Sequence, residues 1–107
     1  MANLRHLEST VQKVVTDIIR NDVKDGLGFL TITGVKITNE LSYMYVFYSV
    51  LGTEDDVQNT QEALKRANGY IKNQIAQRVK MRKVPQLIFK YDHSLSNFNK
   101  IDELLKK

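Results

Sequence analysis

The chain has 107 residues, of which 42% are hydrophobic and 26% charged, and its formal net charge at pH 7 is +4. This length and balance predict a single globular domain over residues 1–107 and argue against a disordered, collagen-like or coiled-coil protein. Cysteine is absent, which excludes disulfides and thiolate metal sites, and no apolar run approaches the ~18 residues of a membrane-spanning helix. Because the first residues also lack the layout of a signal peptide, we expect a cytoplasmic protein.

The first half of the chain predicts a helix followed by a β-hairpin. Apolar residues recur at steps of three and four over residues 4–22, as in an amphipathic helix. The stretch "FLTITGVKI" alternates like a strand, but the parity of its apolar residues switches at Gly34, which indicates a β-bulge. The short turn "TNEL" then predicts an antiparallel partner in "SYMYVFYSVL". One face of that strand carries Met44, Val46, Tyr48 and Val50, and the other carries Tyr43, Tyr45 and Phe47.

The second half predicts two helices, a strand and a last helix. Thr53 is placed to cap a helix, and the acidic residues that follow it suit the positive end of the helix dipole. This helix is expected to stop at Ala67-Asn68-Gly69, and a second helix is expected to continue to the region of Pro85. "LIFKY" predicts the third strand, and a short helix is expected at about 96–106. The order α-β-β-α-α-β-α predicts a two-layer α+β domain.

The charge is unevenly distributed along the chain. Residues 65–90 hold eight basic residues and no acidic ones, whereas the other 81 residues hold eight basic and twelve acidic ones. A cationic segment in an otherwise mildly anionic chain is typical of a surface that binds a polyanion such as nucleic acid. The alternative is a solvated helix face without a ligand.

The predicted break at Ala67-Asn68-Gly69 lies among these charges. A glycine costs about 1 kcal/mol relative to alanine inside a helix, so it requires a reason. It could form a simple turn between packed helices, or it could let the backbone approach phosphate oxygens closely. We expect Arg78 to be a weaker candidate for RNA contact because it borders the core. The predicted RNA-binding residues are Lys65, Arg66, Asn68, Gly69, Lys72, Lys80, Arg82 and Lys83.

Residues that could support catalysis or cofactor binding are scarce. His6 and His93 lack partners in any recognisable motif, and adjacent residues such as Asp92-His93-Ser94 cannot form a catalytic triad. We interpret Asp92 and Ser94 as residues that organise a turn. No phosphate-binding glycine loop occurs. The sequence therefore predicts no enzyme, metal, cofactor or small-molecule substrate.

The order of elements and the basic kinked segment resemble the type II KH domain. The sequence is similar to the ribosome-binding factor A family over almost its whole length, in "LTITGVKITNEL", "YVFYSVLG", "ALKRANGYIKNQIAQRVKMRKVPQLIFKYD" and "IDELL". The third block carries the Ala-x-Gly kink at Ala67–Gly69, which in this family replaces the Gly-x-x-Gly loop of other KH domains. The chain departs from the family at Glu40 and Met44.

This resemblance implies a monomeric factor for assembly of the small ribosomal subunit. It implies binding to ribosomal RNA, late maturation and rRNA processing, and growth in the cold, with GTPase assembly factors as candidate further partners. Two alternatives stay open: a general KH-like binder of single-stranded RNA, and a protein-interaction module. In the second, the aromatic sheet face of Tyr43, Tyr45 and Phe47 would contact a partner rather than stack bases.

Overall fold

The computed structural model describes residues 4–23 and 29–92. They form α1 (Leu4–Asp22), β1 (Phe29–Ile37), β2 (Tyr43–Leu51), α2 (Glu54–Arg78) and β3 (Gln86–Tyr91). The sheet has the order β1-β2-β3, with β1 antiparallel and β3 parallel to β2. Helix α2 is the crossover that the parallel pair requires. The predicted α+β domain is confirmed, whereas the helix expected at 96–106 lies outside the described residues.

The β-hairpin has the bulge that the sequence predicts. Ile32 pairs with Tyr48 and Gly34 pairs with Phe47, so Thr33 is the extra residue of β1. The Thr33 hydroxyl donates a hydrogen bond of 2.6 Å to an Asp92 carboxylate oxygen just beyond β3. Asp92 thus fixes the bulge, a contact that the expected turn around Asp92 and Ser94 did not include.

The core lies between the sheet and the two helices. Four residues of α1 and the four predicted inward residues of β2 are buried, as are Leu64, Ile71 and Ile75 of α2. Tyr48 packs edge-on against Phe89 at 6.3 Å and against Tyr91 at 5.7 Å between ring centroids. Burial raises the pKa of Tyr48 above its ordinary 10.0, an effect that a hydrogen bond with Gln61 partly offsets.

The start of α2 is fixed by a capping box, as the Thr53 pattern predicts. The Asp56 backbone N–H donates to the Thr53 hydroxyl at 3.2 Å, and the Thr53 N–H donates to the Asp56 carboxylate at 2.9 Å. The acidic residues of this turn therefore have a structural explanation, because one completes the cap and the others lie at the positive end of the helix dipole.

The predicted division of the second half into two helices is wrong. Helix α2 runs without interruption through Ala67, Asn68 and Gly69, and it ends at Arg78 instead of continuing toward Pro85. The physical reason is packing. Burying Ile71 and Ile75 contributes about 1.5–3 kcal/mol each, which exceeds the ~1 kcal/mol that Gly69 costs the helix. The inward positions Thr60, Leu64, Ala67, Ile71 and Ile75 follow one another at steps of four, three, four and four.

Side chains from the helices bond to the outer strands of the sheet. The Ile37 N–H of β1 donates to the Glu8 carboxylate at 2.7 Å, and the Gln12 amide donates to the Ile32 carbonyl at 3.2 Å. On the other side, the Asn68 amide donates to the Leu87 carbonyl of β3 at 3.0 Å. Such bonds protect strand edges from pairing with other chains, and they fix how the helices lie on the sheet.

Candidate nucleic-acid interface

Two lysines of α2, Lys65 and Lys72, lie on the same side of the helix. At about 100° of rotation per residue, Lys65, Gly69, Lys72 and Ala76 fall within a sector of about 60°. Lys65, Gly69 and Ala76 are exposed and Lys72 is half-buried. We call these four residues the basic stripe. Its two lysines are about 10 Å apart along the helix axis. One turn after Lys65 comes Gly69, and one turn after Lys72 comes Ala76, neither of which has a long side chain.

Gly69 lies at the most open point of the basic stripe. A Cβ atom at this position would have no neighbouring atom within 4 Å. Packing within the described part of the chain therefore gives no reason for a glycine. Because the residue is exposed and helical, it leaves the helix backbone accessible from solvent between two ammonium groups.

The remaining predicted cations lie beside the basic stripe and after the end of α2. Arg66 is exposed at about 100° from Lys65 around the helix. Lys80, Arg82 and Lys83 are exposed on the connection from α2 to β3, where Val79 is buried in an extended conformation. Lys80 and Arg78 also border a shallow cleft whose other wall is the first half of α1.

The described part of the chain does not neutralise the positive charges of these residues. Within residues 4–23 and 29–92, no ion pair involves any of the six predicted cations. They remain available to an external anion. These cations are Lys65, Arg66, Lys72, Lys80, Arg82 and Lys83.

Arg78 is different because its charge is used within the fold. Its guanidinium lies 3.7 Å from the Asp22 carboxylate at the end of α1 and 3.2 Å from the Gln74 side chain. The Tyr70 hydroxyl donates to the same Asp22 carboxylate at 2.9 Å, and this hydrogen bond raises the pKa of the Tyr70 phenol. Arg78 therefore joins the two helices, and it is exposed instead of bordering the core as the sequence predicted.

Asn68 also has an internal role. Its amide is part-buried and bonded to the Leu87 carbonyl, so it anchors α2 to β3. The sequence contains a signal for this role, because Asn68 lies between the inward residues Ala67 and Ile71 and so faces the edge of the core. The predicted helix break at Ala67-Asn68-Gly69 placed Asn68 outside a helix, so its helical spacing from Ile71 was not considered.

Two other kinds of feature are absent from the described residues. Over residues 4–23 and 29–92, no cluster of three His, Cys, Asp or Glu side chains could hold a metal ion. In the same ranges, no helix is both apolar enough and long enough to cross a lipid bilayer. The arrangement is suited to binding an anionic surface.

Comparisons with known proteins identify related sequences. Residues 3–105 match the model of the family described as ribosome-binding factor A. The chain is 45% identical over 97 residues to ribosome-binding factor A of Staphylococcus carnosus, an alignment that covers 90% of this chain and 84% of that protein.

Solved structures give the same result. The crystal structure of ribosome-binding factor A from Thermus thermophilus matches with a TM-score of 0.75 and 26% identity, over 84% of this chain and 97% of that one. A homology model of the Thermus thermophilus factor, fitted into the cryo-EM map of its complex with the 30S subunit, matches with a TM-score of 0.69 and 26% identity, over 83% and 94% of the two chains. The chain therefore belongs to the ribosome-binding factor A family.

Proposed function

We propose that this protein binds the small ribosomal subunit through its ribosomal RNA and that the basic stripe of α2 is a principal contact. The observation that carries the proposal is a helix on which Lys65 and Lys72, without ion pairs among the described residues, lie on either side of a glycine that packing among those residues does not require. Family membership and the 30S-bound relative support the choice of partner. In the cell, we propose that the protein acts as a cytoplasmic monomer in late subunit maturation, rRNA processing and growth in the cold.

The physical basis of binding would be neutralisation of phosphates. Lys65 and Lys72 would each contact the RNA backbone, and Gly69 would let that backbone approach the helix between them. Each phosphate contact releases condensed counterions, so affinity should fall steeply as salt rises. Arg66, Lys80, Arg82 and Lys83 would extend the contact on either side. Folded RNA of a subunit suits a rigid helix better than a flexible single strand does.

Sedimentation with purified small subunits between about 50 and about 200 mM salt tests the proposal. The variant Lys65→Glu/Lys72→Glu should bind at least about tenfold more weakly, and its plot of log affinity against log salt should be shallower by about 1.5. The matched control is Lys13→Glu/Arg20→Glu, which changes the net charge equally at exposed positions of α1. A Lys80→Glu/Arg82→Glu/Lys83→Glu variant measures the contribution of the connection.

The two double variants separate a specific surface from a general charge effect. The proposal requires the α2 variant to lose far more affinity than the α1 variant. Equal losses would mean that only net charge matters, and unchanged binding of the α2 variant would remove the basic stripe from the interface. For the cellular role, deletion of the gene should cause precursors of small-subunit rRNA to accumulate, most strongly at low temperature.

A further inference from the structure

The face of the sheet that is turned away from the helices is a second chemically distinct surface. Helices α1 and α2 cover the side on which Met44, Val46 and Tyr48 are buried. The opposite side of β2 carries aromatic rings that the core does not use. Tyr43 is 41% exposed, and Tyr45 and Phe47 are half-buried. We call this side of the three strands the open sheet face.

The aromatic rings of the open sheet face are arranged in parallel. Tyr43 and Tyr45 are two residues apart on β2, so they stand on the same side of the sheet. Their ring centroids are 6.1 Å apart and their planes differ by 26°. The two neighbouring rings are therefore close to parallel, and Tyr43 is the more exposed of the two.

Two lysines flank these rings from the outer strands. Lys36 of β1 is the direct cross-strand partner of Tyr45, and Lys90 of β3 is that of Phe47. The Lys90 ammonium lies over the Tyr45 ring, 5.3 Å from its centroid. Both lysines are exposed, and β1, β2 and β3 contain no acidic residue. The strands of this face therefore combine aromatic rings with lysines, and the carboxylate of Asp92, just beyond β3, bonds to Thr33 of β1.

We propose that the open sheet face binds single-stranded RNA by stacking bases on Tyr43 and Tyr45 and placing backbone phosphates at Lys36 and Lys90. Aromatic rings beside cations are the combination that sequence-tolerant single-strand surfaces use. Lysine is depleted in the core of protein–protein interfaces, so the charge of this face favours RNA over a protein partner. The inference does not depend on the proposed function of the basic stripe, which lies on a helix on the other side of the sheet.

Titration of a fluorescently labelled decauridylate, followed by anisotropy at low salt, tests the proposal with the full chain. An abasic ribose-phosphate decamer of the same length and charge is the ligand control. Wild-type protein should bind the decauridylate about tenfold or more tightly than the abasic strand, because only the former can stack. Lys36→Gln/Lys90→Gln should weaken binding of both strands and reduce the salt dependence.

The protein variants separate stacking from other effects of the tyrosines. Tyr43→Ala/Tyr45→Ala should lose about tenfold or more of the affinity for decauridylate and bind it no better than the abasic strand. Tyr43→Phe/Tyr45→Phe is the matched control. It keeps the aromatic rings and should still bind decauridylate more tightly than the abasic strand. The Lys65→Glu/Lys72→Glu variant should keep the wild-type ratio of the affinities for decauridylate and the abasic strand, even if it no longer sediments with subunits. The two proposals can therefore fail separately.

Several results would overturn the proposal. Equal binding of the two strands by the wild type would exclude stacking, and unchanged binding by the alanine variant would exclude these rings. If the alanine variant lost subunit binding but titrated decauridylate like the wild type, the face would bind a protein. If the wild type formed a concentration-dependent dimer and the alanine variant did not, the open sheet face would bind a second copy of this chain. A large fall in stability with unchanged RNA binding would mean that the protein's own chain covers the face.

Discussion

Gly52 and Gly69 differ in what surrounds them, although one precedes α2 and the other lies within it. At Gly52, φ is +148° and an added Cβ would collide with the Asp56 carboxylate, whose Cγ would be 2.9 Å away. At Gly69 the backbone is helical and the space is open. The described residues therefore explain the first glycine and give no packing reason for the second. This open position is the basis for the proposed contact between Gly69 and RNA.

The two halves of α2 differ in the same sense. The acidic first turn is used within the protein, since Asp56 completes the capping box and the dipole favours the charges beside it. In the basic second half, Lys65 and Lys72 have no ion-pair partner among the described residues. Among the described residues, the acidic first turn stabilises the start of the helix and Arg78 pairs with Asp22, whereas Lys65 and Lys72 are the cations that we propose to contact RNA.

The largest effect on stability is expected at Gly52. Gly52→Ala should lower the free energy of unfolding by about 2–3 kcal/mol, because the new side chain would be strained at positive φ and would displace Asp56 from the cap. Urea denaturation monitored by circular dichroism measures this change. A loss no larger than that of an ordinary surface substitution would contradict the structural role of Gly52.

A smaller effect is expected at the cap itself. Thr53→Ala should cost about 1 kcal/mol by removing the acceptor of the Asp56 N–H, whereas Thr53→Ser keeps a hydroxyl and should cost much less. The same denaturation experiment compares the two variants. Similar losses for Ala and Ser would show that the hydroxyl is not what stabilises the start of α2.

The smallest effect concerns alkaline pH. Because burial raises the pKa of Tyr48 in the folded protein, the unfolded chain releases this proton first. The contribution of Tyr48 is therefore complete below its ordinary pKa of 10.0 and declines as pH rises above it. The free energy of unfolding should fall between pH 7 and a pH above 10 in the wild type. In Tyr48→Phe this fall should be smaller. Parallel curves for the two proteins would contradict this.

Regular elements with strong local signals could be predicted from the sequence. The apolar stripe of α1 and the alternation in β2 are confirmed, as is the parity switch at Gly34, because each reflects burial on one side of a single element. The prediction failed at Ala67-Asn68-Gly69, where the local cost of glycine was weighed without the packing of Ile71 and Ile75. That packing depends on the sheet and on α1, which local periodicity does not specify.

The candidate site was predictable in composition but not in arrangement. The absence of acidic residues from 65–90 identified the cations, and the structure places Lys65 and Lys72 on one side of a continuous helix. Contacts between distant residues could not be predicted: Asp22 and Tyr70 are 48 positions apart, and Asn68 and Leu87 are 19 apart. Such pairs follow from how the elements cross in space.

The most direct test of the account compares stability with subunit binding in Gly69→Ala. Alanine should raise the free energy of unfolding by about 0.5–1 kcal/mol, since it favours the helix and meets no neighbour. It should also reduce affinity for small subunits by about tenfold, because its methyl group would hold RNA away from the backbone between Lys65 and Lys72; overpacking of this kind costs ~1–3 kcal/mol. The matched control is Asn59→Ala, an exposed position in the first half of the same helix.

Asn59→Ala should give a comparable gain in stability with unchanged binding. The account predicts that only Gly69→Ala is both more stable and weaker in binding. If Gly69→Ala were more stable and bound subunits as tightly as the wild type, the glycine would have no role at the RNA surface, and the central claim would be wrong.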